Sequence, residues 1–294
     1  MAGGRRAVYA AAMPDTSQIV APPRLQRGDG GVAVRFARRS DGAMALAHLW
    51  QSDPCRVLFP RAEADEPPQA VIVTTSGGLT DGDRVRLGVE VEGGIATATT
   101  QAAEKIYRAA LAADAPARID STLRVGAGAT LEWLPQETIV FDGARLRRRV
   151  EADLADDARL LACEMVVLGR GASGERFTRG GVYDGWRLRR GGRLVWADAL
   201  AFDGAPPDVA GFAGATALAT GIFAGPEAAR WLEASRLVAE GSTARAGVTV
   251  VNGVLLARFL GEPLAVRRGL MEWLAFMRQD ALGGPRRLPR VWHV

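Results

Sequence analysis

Three segments of the chain follow one pattern. Val89-Glu-Val91-Glu-Gly-Gly-Ile95-Ala-Thr97, Leu123-Arg-Val125-Gly-Ala-Gly-Ala129-Thr-Leu131 and Ala152-Asp-Leu154-Ala-Asp-Asp-Ala158-Arg-Leu160 each read as strand, turn, strand. They begin 34 and then 29 residues apart. A hairpin-like unit of this size cannot bury its own apolar face, so its recurrence predicts layers of sheet stacked along an axis, a superhelical, β-solenoid-like arrangement. The alternative is an antiparallel sandwich whose hairpins look alike because few residue types make tight turns.

The stretch from Gly128 to Arg149 carries the strongest local signal. Leu131 and Trp133, then Ile139 and Phe141, alternate with period two, and Pro135, which cannot donate to a central ladder, divides them into two short strands. Asp142-Gly143 supplies residues suited to a tight hairpin turn, after which the chain turns back through Arg145–Arg149. Glu132 and Glu137 flank the proline, and their spacing favours two solvated strand residues over a functional pair.

Elsewhere the pattern is again short strands. Val32–Phe36, Ala45–Trp50 and Cys55–Phe59 read as opening strands, the patch from Ala62 to Pro68 as a surface loop, and Val71–Val73 as a buried strand ending in Thr74-Thr75-Ser76-Gly77-Gly78. Strands follow over Leu160–Leu168, Trp186–Leu188 and Leu194–Phe202, and Asn252-Gly253 between apolar runs marks a hairpin. Two helices are predicted in the C-terminal third, near 226–240 and 263–282. Each has proline near its start, apolar residues at helical spacing and glycine at its end. The basic, proline-rich tail from Pro285 is expected to be extended. The chain is therefore expected to be mainly β, one domain over 24–294, preceded by a disordered tail over 1–23. The apolar patch Ala7–Met13 is too short for an export signal and soon meets Pro14 and Asp15.

Several chemistries find no support in the sequence. With His48 and His293 the only histidines, the sequence offers no Ser-His-Asp or Cys-His pattern, and the chain reads as a non-enzyme. Cys55 and Cys163 lack metal-ligand spacing, so a reducing cytoplasm is the expected compartment. No apolar run is long enough to span a bilayer. Gly169-Arg-Gly171-Ala-Ser-Gly174 matches G-x-G-x-x-G, but the residues after it lack helical periodicity, which favours a glycine-rich loop over a dinucleotide site. The basic balance is almost all arginine, Lys105 being the one lysine. An Arg-rich polyanion- or nucleic-acid-binding β protein is the alternative reading, although aromatics at base-stacking spacing are missing. Transient handling of a divalent cation by carboxylates remains open. Glu164 stands out among the candidate acids because it sits in an apolar strand, where a carboxylate is costly unless paired or hydrated.

The Gly128–Arg149 stretch, Thr99-Thr-Gln-Ala-Ala-Glu-Lys-Ile-Tyr-Arg108 upstream and Gly169-Arg-Gly-Ala-Ser-Gly-Glu-Arg-Phe177 downstream together resemble the UreD (UreH) family of urease accessory proteins. The resemblance implies a cytoplasmic metallochaperone scaffold, mainly β with two helices. It would act with UreF, and through it the GTPase UreG, to deliver nickel to apo-urease along a water-filled tunnel. Nickel(II) would be in transit, with no tightly bound cofactor, and neither nucleic acid nor membrane would be a partner. Carried over by motif, the candidate tunnel residues are Asp83, Thr99, Thr100, Glu164 and Asp198, with Asp83 and Glu164 as transient metal contacts; Lys105 falls in the same word as the two threonines. The chain departs from the family pattern at Thr74–Gly78, where a histidine and two prolines are common, and at Cys163, where tryptophan precedes the glutamate.

Overall fold

The computed structural model describes residues 27–61, 63–108, 115–206 and 212–293. The tail expected over 1–23 lies outside them. The strands are β1 (Asp29–Arg38), β2 (Met44–Ser52), β3 (Cys55–Leu58), β4 (Gln69–Thr74), β5 (Arg84–Glu92), β6 (Gly94–Thr100), β7 (Glu104–Ile106), β8 (Ala117–Val125) and β9 (Ala129–Leu134). They continue as β10 (Thr138–Val140), β11 (Arg145–Leu154), β12 (Arg159–Leu168), β13 (Gly181–Arg190), β14 (Arg193–Asp203), β15 (Ala217–Ala224), β16 (Arg245–Val251) and β17 (Val254–Gly261). Two α-helices follow the expected positions, α1 (Leu232–Glu240) and α2 (Pro263–Phe276).

The three look-alike segments are β5–β6, β8–β9 and β11–β12, and none is a hairpin. Each crosses from one sheet to another: β5, β8 and β11 run parallel in a seven-stranded sheet, and β6, β9 and β12 run parallel in a ten-stranded one. Alternation makes this possible, because one face of each strand is apolar and faces the matching strand across the gap. The stacked winding is limited to this middle part. The smaller sheet, ordered β14-β13-β11-β8-β5-β1-β2, has antiparallel pairs at both ends, and the larger, β16-β17-β15-β12-β9-β6-β4-β3, ends likewise. The sheets are mixed and no closed solenoid is formed, which corrects the solenoid-like expectation. The repeat signal ran out where antiparallel partners take over the edges.

Asp142-Gly143 likewise turns the chain between sheets rather than within a hairpin, since β10 pairs with β7 and β12 while β11 lies in the other sheet. Asn252-Gly253 does make the expected hairpin, with φ of 48° and 79° between the antiparallel β16 and β17. Gly169–Gly174 is a loop holding one short 3-10 turn.

Two cores result. One fills the gap between the sheets. The other lies on the far face of the larger sheet, beneath α1, α2 and the C-terminal segment. Strands β9, β12 and β15 are covered on both faces, which is why they read as almost unbroken apolar runs. The first helix opens with a 3-10 turn over Ala228–Trp231, and the second, capped by the Glu262 carboxylate accepting from the Leu264 and Ala265 amides, ends in a π-turn over Met277–Ala281. The tail is not simply extended: Leu288 and Trp292 are buried and Arg290–His293 form a 3-10 turn.

Gly221 on β15 shows how closely α2 sits, because a Cβ there would lie 2.5 Å from two carbons of the Trp273 ring. Gly221→Ala should therefore lower stability by about 1–3 kcal/mol through overpacking, measured by denaturant unfolding. A loss below about 0.5 kcal/mol would show that the helix shifts freely.

Candidate functional site

Strand β12 divides its side chains between the two cores. Leu160, Ala162, Val166 and Leu168 face the gap between the sheets, while Leu161, Cys163, Met165 and Val167 face the helices. Glu164 therefore falls on the inter-sheet side, in phase with apolar neighbours. The opposite sheet breaks its phase in the same place: Arg148 stands between the inward Leu146 and Val150 on β11, and Asp184 between the inward Val182 and Trp186 on β13. Three strands thus bring a buried ion cluster into the gap.

The Arg148 guanidinium grips Asp184 with both edges, Nε donating to Oδ1 at 2.8 Å and Nη2 to Oδ2. Its Nη1 donates to Thr138 Oγ1 at 2.8 Å, and Nη2 reaches Glu164 Oε2 at 3.4 Å. Trp186 Nε1 also donates to Glu164 Oε2. Burial and the neighbouring Asp184 push the Glu164 carboxyl up to about 8, against the pull of Arg148. Burial alone would lower Arg148, but Asp184 and Glu164 more than reverse this and keep it charged. The Arg148–Asp184 pair is internally neutral, so Glu164 is the group whose charge can follow what enters the gap.

This cluster stands at one end of an internal cavity walled by Val85, Leu87, Ile119, Trp133 and Val150, with about 50 Å³ accessible to water. One water needs roughly 10–15 Å³ by this measure, so a few waters fit. At its other end are Thr74, Thr100 and Glu104. Thr74 Oγ1 donates to Glu104 Oε2 at 2.6 Å, and burial raises the Glu104 carboxyl above its ordinary range. A second cavity shares Glu164 with the first and continues to Asp198, Thr220 and Arg258. A third shares Thr74, Thr100 and Glu104 and continues to Gly77, Gly78 and Lys105. The three follow one another across the strands and share carboxylates in their walls, the third reaching the loops at residues 77–78 and 101–103.

Glu164, Thr100 and Asp198, expected together from the sequence, do line these cavities, and Asp198 is ion-paired with Arg258. Asp83 and Thr99 do not. Asp83 accepts from the Gly28 and Thr80 amides, each at 2.8 Å, and ties their loops together. Thr99 lies on the opposite face of β6 from the inter-sheet Ala98 and donates to the Leu134 carbonyl at 2.6 Å. Arg148, Asp184 and Thr138 were not singled out from the sequence. The available signal was a charged residue on the apolar phase of a strand, as in Leu146-Arg-Arg148-Arg-Val150.

Of the two glutamates around Pro135, Glu132 is buried rather than solvated, which corrects that expectation, and Glu137 is half-buried and ion-paired. Glu132 is 1% exposed and is held by Arg278 from the end of α2, Nε to Oε1 at 2.7 Å and Nη2 to Oε2 at 3.0 Å, while Thr97 donates its hydroxyl to Oε2 at 2.5 Å. Arg278 Nη2 also reaches Glu66 at 2.9 Å, and Glu137 pairs with Arg267. These contacts lie on the helix side of the sheet. They border the cavity through Gln136, whose amide donates to the carbonyls of Gln101 and Val291, both at 2.8 Å.

Among the described residues no group of three or more His, Cys, Asp or Glu side chains is arranged to hold a metal ion, and no helix is long and apolar enough to cross a membrane. The donor set along the gap is thus one of separated carboxylates and hydroxyls.

Comparison with known proteins gives a consistent answer. The family profile described as UreD urease accessory protein matches residues 28–293. Urease accessory protein UreD 2 of Methylorubrum populi is 43% identical over 281 residues, covering 92% of each chain. Urease accessory protein UreD of Magnetococcus marinus is 42% identical over 278 residues, 90% of this chain and 94% of its own. That of Granulibacter bethesdensis is 43% identical over 242 residues, 80% of this chain and 99% of its own. With one profile spanning nearly all the described residues, the chain belongs to the UreD family of urease accessory proteins.

Proposed function

We propose that the protein is a non-catalytic scaffold that delivers nickel to apo-urease, working in the cytoplasm in a complex with UreF and, through it, the GTPase UreG. The observation that carries the reading is the series of three neighbouring cavities that share Glu164, and Thr74, Thr100 and Glu104, in their walls, in a chain of this family. Nickel(II) is the cargo. A borderline divalent cation tolerates carboxylate, hydroxyl and water ligands, and separated donors hold it weakly enough to let it move on. Glu164, Asp198 and Thr100 are the proposed contacts, with Glu104 added. Arg148 sets the charge at the Glu164 end of the cavity, because it neutralises Asp184 and leaves Glu164 as the carboxylate that can respond to the cargo there, with Glu104 at the other end. Asp83 and Thr99 have a supporting part in this reading, since both hold neighbouring backbone in place.

The test is urease made from its full operon with and without this gene. Nickel per urease and activity should fall at least tenfold on deletion and return on re-expression. Urease that is fully loaded in the deletion strain overturns the reading.

A further inference from the structure

The outer face of the seven-stranded sheet carries an arginine row that the passage between the sheets does not use. Parallel register places Arg84 of β5, Arg118 of β8 and Arg147 of β11 side by side, followed by Tyr183 of β13. Neighbouring strands are about 4.8 Å apart, so the three arginine positions span about 10 Å. The adjacent row reads Arg86, Asp120, Arg149. Arg147 and Arg149 both lie over the Tyr183 ring, at 5.1 and 5.9 Å from its centroid, which restrains their guanidiniums. Arg86 is paired with Asp29 at 2.6 Å, and Asp29, opposite Arg84 in the register, also feels the Arg84 charge, whereas Arg118 and Arg147 form no ion pair with a carboxylate among the described residues. Like charges directly opposite one another on a sheet are destabilising. The sheet keeps three in an unbroken row, and half-buried Arg118 and Arg149 leave their Nε groups without an acceptor.

We propose that this row is a docking surface for a short acidic segment of a partner protein. Guanidiniums match carboxylates in paired hydrogen bonds, and a row about 10 Å long suits two or three acidic side chains. The surroundings select against a nucleic-acid backbone. Beyond the row, Glu90, Glu151 and Asp153 alternate with Arg35, Arg124, Arg187 and Arg189, so a longer polyanion crossing the sheet meets charges of both signs, and the aromatics Tyr183 on β13 and exposed Trp50 on β2 stand five strands apart rather than along one stacking track.

The test is fluorescence anisotropy with labelled hexaglutamate and, separately, a labelled oligodeoxynucleotide of six bases, on the full chain at roughly 0.15 M salt. Hexaglutamate should bind, more weakly as salt rises. Arg118→Glu/Arg147→Glu should weaken it at least tenfold, while Arg268→Glu, at an exposed position on α2, changes it less than twofold. Near-ultraviolet circular dichroism checks that each variant is folded, and Arg118→Gln/Arg147→Gln repeats the test if the reversal unfolds the sheet. Absence of hexaglutamate binding, equal binding by the folded variants, or tighter oligonucleotide binding at the same arginines each overturns the proposal. None of these readouts depends on urease or nickel.

Discussion

Arg278→Met should lower the unfolding temperature by roughly 10 °C, the result of losing about 3–5 kcal/mol. Arg278 is fully buried and holds Glu132, itself 1% exposed, with two hydrogen bonds, and Glu66 with a third. Methionine fills much of the volume but leaves Glu132 as an ion in an apolar setting with only the Thr97 hydroxyl to solvate it. The unpaired charge, rather than the lost attraction, dominates the cost. A second substitution separates the two effects. Arg278→Met/Glu132→Met removes both charges and should recover most of the stability, because well-packed apolar groups can replace a buried ion pair at little cost. Glu66 retains Arg287 as a partner at 3.3 Å in either variant. Denaturant unfolding of both variants checks this, and a single-variant loss below about 1 kcal/mol would show that water reaches Glu132.

The same cluster connects the fold to the cavity. Arg278 Nη1 donates to the Arg287 carbonyl, and Arg287 in turn binds Asp65 and Glu63 in the 63–66 loop. The C-terminal segment is thereby fastened across the larger sheet, where Trp292 Nε1 donates to Leu134 at 3.1 Å and Val291 accepts from Gln136. Gln136 lines the inter-sheet cavity. Hydrogen exchange over residues 287–293 should accordingly quicken at least tenfold in Arg278→Met and stay fast in the double variant, which also lacks the hydrogen bond to the Arg287 carbonyl. Unchanged protection would mean that Trp292 alone anchors the segment.

What could be read from the sequence divides along physical lines. Strand existence followed from period two, and Asn252-Gly253 and the two helices followed from local turn and cap chemistry, because these signals depend on neighbours within a few residues. Which strands pair did not follow. The turns at Gly93-Gly94 and Asp142-Gly143 carry positive-φ glycines, as hairpins do, yet each passes the chain to the opposite sheet. Local turn chemistry does not distinguish these cases. Glu164 was visible as a carboxylate on an apolar strand. Arg148 and Asp184 gave the same signal on strands already rich in charge, where an inward arginine among outward ones is easily passed over. Glu132 was misread because its partner, Arg278, is 146 residues away.

Glu164→Gln should reduce nickel delivered to urease at least tenfold while leaving the chain folded. Glutamine keeps the length of the side chain and an oxygen for the Trp186 N–H, but it has no carboxyl proton to give up and so cannot become the anion that a cation entering the cavity would draw out. Stability gives an independent readout of the same group. The folded-state pKa is raised from 4.5 to about 8 by burial and by Asp184, so folding favours the protonated form. The contribution of Glu164 to stability is complete below about pH 4.5 and is lost as pH rises through about 8. Across that window the unaltered protein should lose on the order of a few kcal/mol that Glu164→Gln retains, so the variant gains in relative unfolding temperature from pH 5 to pH 9. Titrating groups elsewhere affect both proteins alike and cancel in the difference. A flat difference across pH would place Glu164 permanently in ion pairing with Arg148. Full nickel loading by a folded Glu164→Gln would remove its charge from the delivery route, whichever way the stability result fell.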